Sequence, residues 1–169
     1  MKEVKAELVG PLPVSTNKGP SIVVGLNEPG HKRGFLIYIG EPEANSMAMA
    51  QKDIKLPRPA TYELLLDIIK KMGGSVNKVV IKEITGNTYY ALIHINREGE
   101  KFEIDARPSD AINIALRENL PIFVNEELLS EDQFIVPAPE EASEVPKSDR
   151  EKWFETIDPN ELIKKHGPS

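Results

Sequence analysis

A chain of 169 residues without a cysteine can bury one ordinary hydrophobic core, but it has no disulfides, thiolate zinc sites or thiol nucleophile to draw on. Its three histidines, His31, His94 and His166, stand apart without metal-ligand spacing. The net charge of −6, from 21 basic and 27 acidic residues, argues against gripping nucleic acid through a broad basic field.

The N-terminal stretch MKEVKAELVG is charged and broken by Gly10 and Pro11, with no apolar run suited to a signal peptide or a membrane span. A cytoplasmic location without a membrane partner is the resulting expectation. The first third then reads as three strands, EVKAELVGPL, SIVVGLN and GFLIYIG, separated by the turn signals Asn17-Lys18-Gly19-Pro20 and EPGHKRG. A helix over EPEANSMAMAQK follows, with Pro42 and Glu43 in its first turn.

The next helix, in RPATYELLLDIIKKMGG, carries an apolar stripe of Leu65, Ile68, Ile69 and Met72, with Glu63, Asp67, Lys70 and Lys71 on the wet side. Gly73-Gly74 follows the helix instead of opening one, so it reads as a stop and not as a phosphate loop. The second half repeats the order of the first. VNKVVIKEIT and TYYALIHIN are strands joined across Gly86-Asn87, GEKFEID is a third strand, and a helix begins at Pro108. The sequence therefore predicts an α+β fold in which a strand-strand-strand-helix unit is duplicated, a mixed or antiparallel sheet with helices packed on it.

PIFVNEELL reads as a short strand and turn, with Asn125 a cap. VPAPEEASEVPKSDRE is rich in proline and acid and suits a linker of low order. EKWFETIDPNELIKK places Trp153, Phe154 and Ile157 on one helical face that needs a docking surface, its own body or a protein partner. The expected division is a domain over 1–137, a linker over 138–148 and an amphipathic tail over 149–169. Exposed sheet edges and a detached aromatic segment also predict a homodimer.

The junction IDARPSDAINIALREN concentrates charge at a strand-to-helix corner. Pro108 suits the first helical turn, Ser109 and Asp110 can supply capping oxygens, and Asp105 and Arg107, two apart on an extended segment, share a face. Capping and ion pairing explain the cluster without any ligand and are the expectation from position alone; a phosphate-handling site is the alternative. The first corner, YIGEPEANSMAMA, looks similar and offers Glu41 and Glu43.

Together LIYIGEPEANSMA, RPATYELL, KVVIKEITGNTYYALIHI, IDARPSDAINIALR and PIFV resemble the bifunctional nuclease family over roughly residues 1–137, and within it a small stand-alone protein of thermophilic bacteria. The resemblance implies an α+β fold, nucleic acid as partner and hydrolysis of both DNA and RNA. It carries over no catalytic residues, and the extra C-terminal interaction motif of plant members is absent from this sequence.

Without cysteine or paired histidines, phosphodiester hydrolysis would draw on carboxylates holding Mg²⁺ or Mn²⁺ and on an arginine clamp. The corners offer Glu41, Glu43, Asp105 and Asp110 as catalytic acids, the first three also as metal ligands. Arg107 is a further catalytic candidate, and it and Arg58, from LPRPAT, are candidates for substrate binding. If the two corners face one another these groups converge, as an active site or as a structural ion-pair network. His94 lies on the more polar face of its strand, where solvent exposure is expected, and is a minor candidate for a general base. The competing class is a non-enzymatic scaffold whose tail docks a partner, favoured by the acidic net charge.

Overall fold

The computed structural model describes residues 1–131, so the expected linker and tail lie outside the described residues. The elements are β1 (Glu3–Thr16), β2 (Gly19–Asn27), β3 (Gly34–Ile39), α1 (Glu41–Gln51), α2 (Thr61–Lys71), β4 (Gly74–Thr85), β5 (Thr88–Arg97), β6 (Glu100–Ala106), α3 (Pro108–Glu118) and β7 (Ile122–Asn125), followed by a 3₁₀ turn over Glu126–Leu128. The order strand-strand-strand-helix thus occurs twice, with α2 between the two units. The fold is α+β, as the sequence predicts, with helices packed on a mixed sheet.

The seven strands lie in the order β3-β2-β1-β7-β4-β5-β6, antiparallel throughout except where β7 runs parallel to β4. The short strand expected around PIFV is therefore the centre of the sheet. It pairs with β1 from Glu3↔Asn125 to Ala6↔Ile122 and with β4 from Val79↔Ile122 to Ile81↔Val124, joining one three-stranded meander to the other.

The first strand also exceeds its expected end. It passes through Gly10 and Pro11 by a register shift between Val9 and Leu12. Gly10 has φ +101, and a Cβ there would lie 3.0 Å from the Leu12 nitrogen and 3.1 Å from the Val23 oxygen. A glycine at the bulge lets the strand bend without ending.

Alternation puts Val24, Leu26, Phe35 and Ile37 of the first unit, Val79, Ile81, Ala91 and Ile93 of the second, and Ile122 and Val124 of β7 into one core. Met47 of α1, Leu66 of α2 and Ile112 of α3 close over it. Each of these side chains larger than Ala91 contributes roughly 1.5–3 kcal/mol by leaving water. The Phe35 and Tyr89 rings stack at 5.2 Å with 20° between their planes. They sit on β3 and β5, five strand spacings or about 24 Å apart in a flat sheet, so the sheet must curl strongly.

The helix α2 is rotated relative to its expected stripe. Leu66 is buried and Tyr62 and Ile69 are half-buried, whereas Leu65, Ile68 and Met72 face outward. The residues YELLLDII contain two apolar stripes, and the one that includes Tyr62 wins because α3 offers its hydroxyl and ring polar partners. Its C-terminal end follows expectation, with Gly73 at φ +79 just past the last turn.

Candidate functional site

Both corners begin their helices in the same way. Extended backbone at Gly40 and at Arg107 precedes α1 and α3, with Pro42 and Pro108 in the first turns and no side-chain capping hydrogen bond at either end. Ser109 and Asp110 therefore do not cap α3 as the sequence suggests. Asp110 has other partners. Its two oxygens accept from Arg107 Nε and Nη2, each at 2.8 Å, and Oδ1 also accepts from the Tyr62 hydroxyl at 2.8 Å. Arg107 Nη1 lies 2.9 Å from Glu43 Oε1 of the other corner. The corners do meet, and Arg107 is the residue that joins them.

The electrostatics follow from this geometry. Burial opposes the charge on Asp110, but the hydrogen bonds from Arg107 and Tyr62 and the guanidinium charge outweigh it and hold the carboxyl below its ordinary value. The hydrogen bond to Asp110 holds Arg107 more firmly protonated than usual. Burial, then the bond to Asp110, pushes the Tyr62 hydroxyl far up, so it remains a donor. Asp110 thus fixes the Arg107 fork through a bidentate contact while 65 % of the arginine side chain remains exposed.

The Arg107–Glu43 contact borders a cleft of about 1140 Å³ between the two units. Its rim includes Lys18 from the β1–β2 turn, Tyr38 at the end of β3, Tyr89 near the start of β5, and Ser109. Lys18 and Arg107 against Glu43 leave its lining net positive, in a protein of net charge −6.

Other expected residues fall elsewhere. Glu41 is exposed and lines a smaller hollow of about 410 Å³ with Tyr38 and Pro13. Asp105 is exposed on β6, lines neither hollow, and pairs with no charged side chain among the described residues, Arg107 included. Arg58 is exposed in the α1–α2 connection, also without a hydrogen bond or ion pair among the described residues. Glu41, Glu43 and Asp105 therefore do not fit one preformed metal centre, and among the described residues no three His, Asp or Glu side chains are grouped to hold an ion. His94 departs from its expected exposure. It is half-buried, Nδ1 is 3.6 Å from Glu103 Oε1, and Nε2 is buried without a hydrogen-bond partner.

Behind the corner lies a polar hub that the sequence reading missed. Asn113 is fully buried on α3, and its Nδ2 donates to the backbone carbonyl of Ser109 at 3.0 Å and to that of Glu43 at 3.2 Å. Arg117 is 8 % exposed, donates from Nε to Glu63 at 2.5 Å and from Nη2 to Ser46 Oγ at 2.9 Å, and lies 5.0 Å from the Tyr62 ring centre. This hub locks α1 and α2 onto α3 and so sets where Glu43 and Tyr62 stand. A polar residue four positions before an arginine on an otherwise apolar helix face was the available signal.

The bifunctional nuclease domain, as a sequence family, matches residues 24–137, a span holding every side chain of the corner cluster. The chain belongs to the bifunctional nuclease domain family. It is 35 % identical over 139 residues to an uncharacterised protein of Mycobacterium tuberculosis, an alignment covering 80 % of this chain and 83 % of that one. It is 32 % identical to Bifunctional nuclease 2 of Arabidopsis thaliana over 74 % of this chain and 39 % of the plant protein, and to Bifunctional nuclease 1 of Oryza sativa over 63 % and 34 %. The alignments thus span well under half the length of each plant relative. No helix among the described residues is long and apolar enough to cross a membrane.

Proposed function

We propose that this bifunctional nuclease domain protein hydrolyses phosphodiester bonds of DNA and RNA in the cleft between the two corners. The observation that carries the reading is the Arg107–Glu43 contact, which sets an anion-binding fork beside a carboxylate at the edge of an open cleft. Of the five N–H donors of Arg107, three are taken by Asp110 and Glu43. Two remain for the non-bridging oxygens of a phosphate. Glu43 stands beside that position as the acceptor for a proton from attacking water, and Asp110 with Tyr62 keeps the fork oriented as charge builds on the phosphate.

A phosphate clamp in a cleft that Tyr38 and Tyr89 also line engages features common to DNA and RNA, which suits action on both. The nuclease names of the plant relatives support the same reading. The carboxylates expected to hold a divalent ion do not converge, so no step is assigned to Mg²⁺ or Mn²⁺, and ion dependence is decided by assay.

The test uses the full chain, purified free of contaminating nucleases, on single- and double-stranded DNA and RNA with Mg²⁺, Mn²⁺ or EDTA. Turnover that falls in Arg107→Gln and Glu43→Gln proteins of unchanged fold supports the proposal. Absence of turnover in every arm would leave the scaffold reading.

A further inference from the structure

The two edges of the sheet are treated very differently. On β3, Phe35 is 1 % exposed and stacked on Tyr89, and Gly34 exchanges backbone hydrogen bonds with Ser130 at 3.0 and 3.2 Å, so part of that edge is already paired. On β6, every residue from Glu100 to Asp105 is exposed. Natural sheets cover, shorten or charge their edges because unpaired N–H and C=O groups recruit another strand. Lys101, Glu103 and Asp105 share one face of β6, and of its charged residues only Glu100, next to the turn, lies on the other. The other face carries Phe102, 40 % exposed, and Ile104, 46 % exposed.

This apolar face continues onto α2. Ile69 and Ile95 both press against Gly74, and Ile95 pairs across the sheet with Phe102. Beside it, Leu64, Leu65, Ile68 and Met72 form the outward stripe of α2, a run of large apolar side chains left uncovered among the described residues.

We infer that β6 pairs antiparallel with β6 of a second copy about a two-fold axis at Glu103, making one continuous sheet across a homodimer. The sequence EKFEIDA is self-complementary in that register. Lys101 stands opposite the other copy's Asp105 and Phe102 opposite its Ile104, each twice. The backbone agrees. Residues Glu98 and Gly99 form a two-residue turn with φ +52 and +88, and Arg97 pairs with Glu100. Ladder alternation from that turn points the N–H and C=O groups of Lys101, Glu103 and Asp105 away from β5, toward the open edge. Like charges meet only at Glu103, which has His94 Nδ1 at 3.6 Å on its own sheet. The apolar faces of the two copies join on the helix side, where the two α2 stripes flank the seam.

Sedimentation of the full chain tests this pairing by charge exchange. A micromolar dimer is expected, with dissociation at least ~10-fold easier in Lys101→Asp and in Asp105→Lys alone, and restored in the double variant, because the exchanged pair is again opposite in charge. Glu103→Gln should tighten the dimer. Circular dichroism confirms that each variant is folded. A monomeric wild-type protein overturns the inference, as does a dimer indifferent to both single changes. A monomer whose β6 amides are protected from hydrogen exchange would mean that another segment of the same chain covers the edge, and equally ends the proposal.

Discussion

Arg107 of the second corner reaches Glu43 of the first at 2.9 Å, while Asp110, three residues farther along α3, holds the same guanidinium through two 2.8 Å bonds. Arg107 is mostly exposed, so the arrangement positions a cation at the surface more than it stabilises the fold; exposed ion pairs contribute little. Arg107→Lys keeps the charge but loses the fork. It is expected to lower the nuclease rate by ~10²-fold or more, the scale of removing one charge-stabilising donor group, with little change in melting temperature. Activity loss that parallels loss of folded protein would refute this assignment.

Tyr62 and Asp110 give the corner a pH signature. The carboxyl of Asp110 is held below its ordinary value in the fold, so its contribution to stability is complete above the unfolded value of about 4 and is lost as pH falls through the folded value. Tyr62→Phe removes one of the bonds that lower it. The variant is expected to be less stable by about 1 kcal/mol at neutral pH, with the difference shrinking below about pH 4. Denaturant unfolding between pH 7 and pH 2 measures both; a difference independent of pH would count against the bond.

Much of this architecture is legible from alternation and turn chemistry. The six strands of the two meanders and the three helices all stand close to where period, proline and glycine place them. The central position of β7 is not legible, because IFVN is too short to carry a period and its place depends on strands far away in the chain. The same limit applies to the site. Strand geometry puts Asp105 and Arg107 on a common face, yet the chain turns into α3 right after Ala106, and Arg107 swings to partners three residues ahead and in the other unit. The apolar residues of α2 allow two facings. Tyr62, with Asp110 and Arg117 as partners across the helix interface, chooses between them.

Arg117 should matter to the fold and not directly to chemistry. Its guanidinium is nearly buried against Glu63, Ser46 and Asn113, so Arg117→Ala leaves the Glu63 carboxylate and the Asn113 oxygen without their partner. Glu63 is 42 % exposed, so water relieves part of the cost and a loss of about 1–3 kcal/mol is expected. Arg117→Met combined with Glu63→Gln should recover part of it, because packing is retained and the stranded charge is gone. Equal destabilisation in the single and double variants, measured by denaturant unfolding, would show that neither packing nor the stranded charge sets the cost and would refute this account.

Tyr38 offers the sharpest test of what the cleft holds. It is 64 % exposed and lines the same cleft as Glu43, Arg107 and Lys18. A ring standing free beside a phosphate clamp can stack on an unpaired base, an interaction worth roughly 1–3 kcal/mol per base and tolerant of base identity. Tyr38→Ala should therefore weaken binding of single-stranded oligonucleotides about 5- to 100-fold, while Tyr38→Phe, which keeps the ring face, should bind nearly as the parent does. Duplex DNA, whose bases are already stacked, should respond little to either change. Lys18→Gln should act differently, reducing affinity for all strands and flattening the salt dependence by about one phosphate contact. Fluorescence anisotropy with labelled single and double strands over a salt series separates these effects, and a Tyr38→Ala protein that binds single strands normally would remove stacking from the cleft.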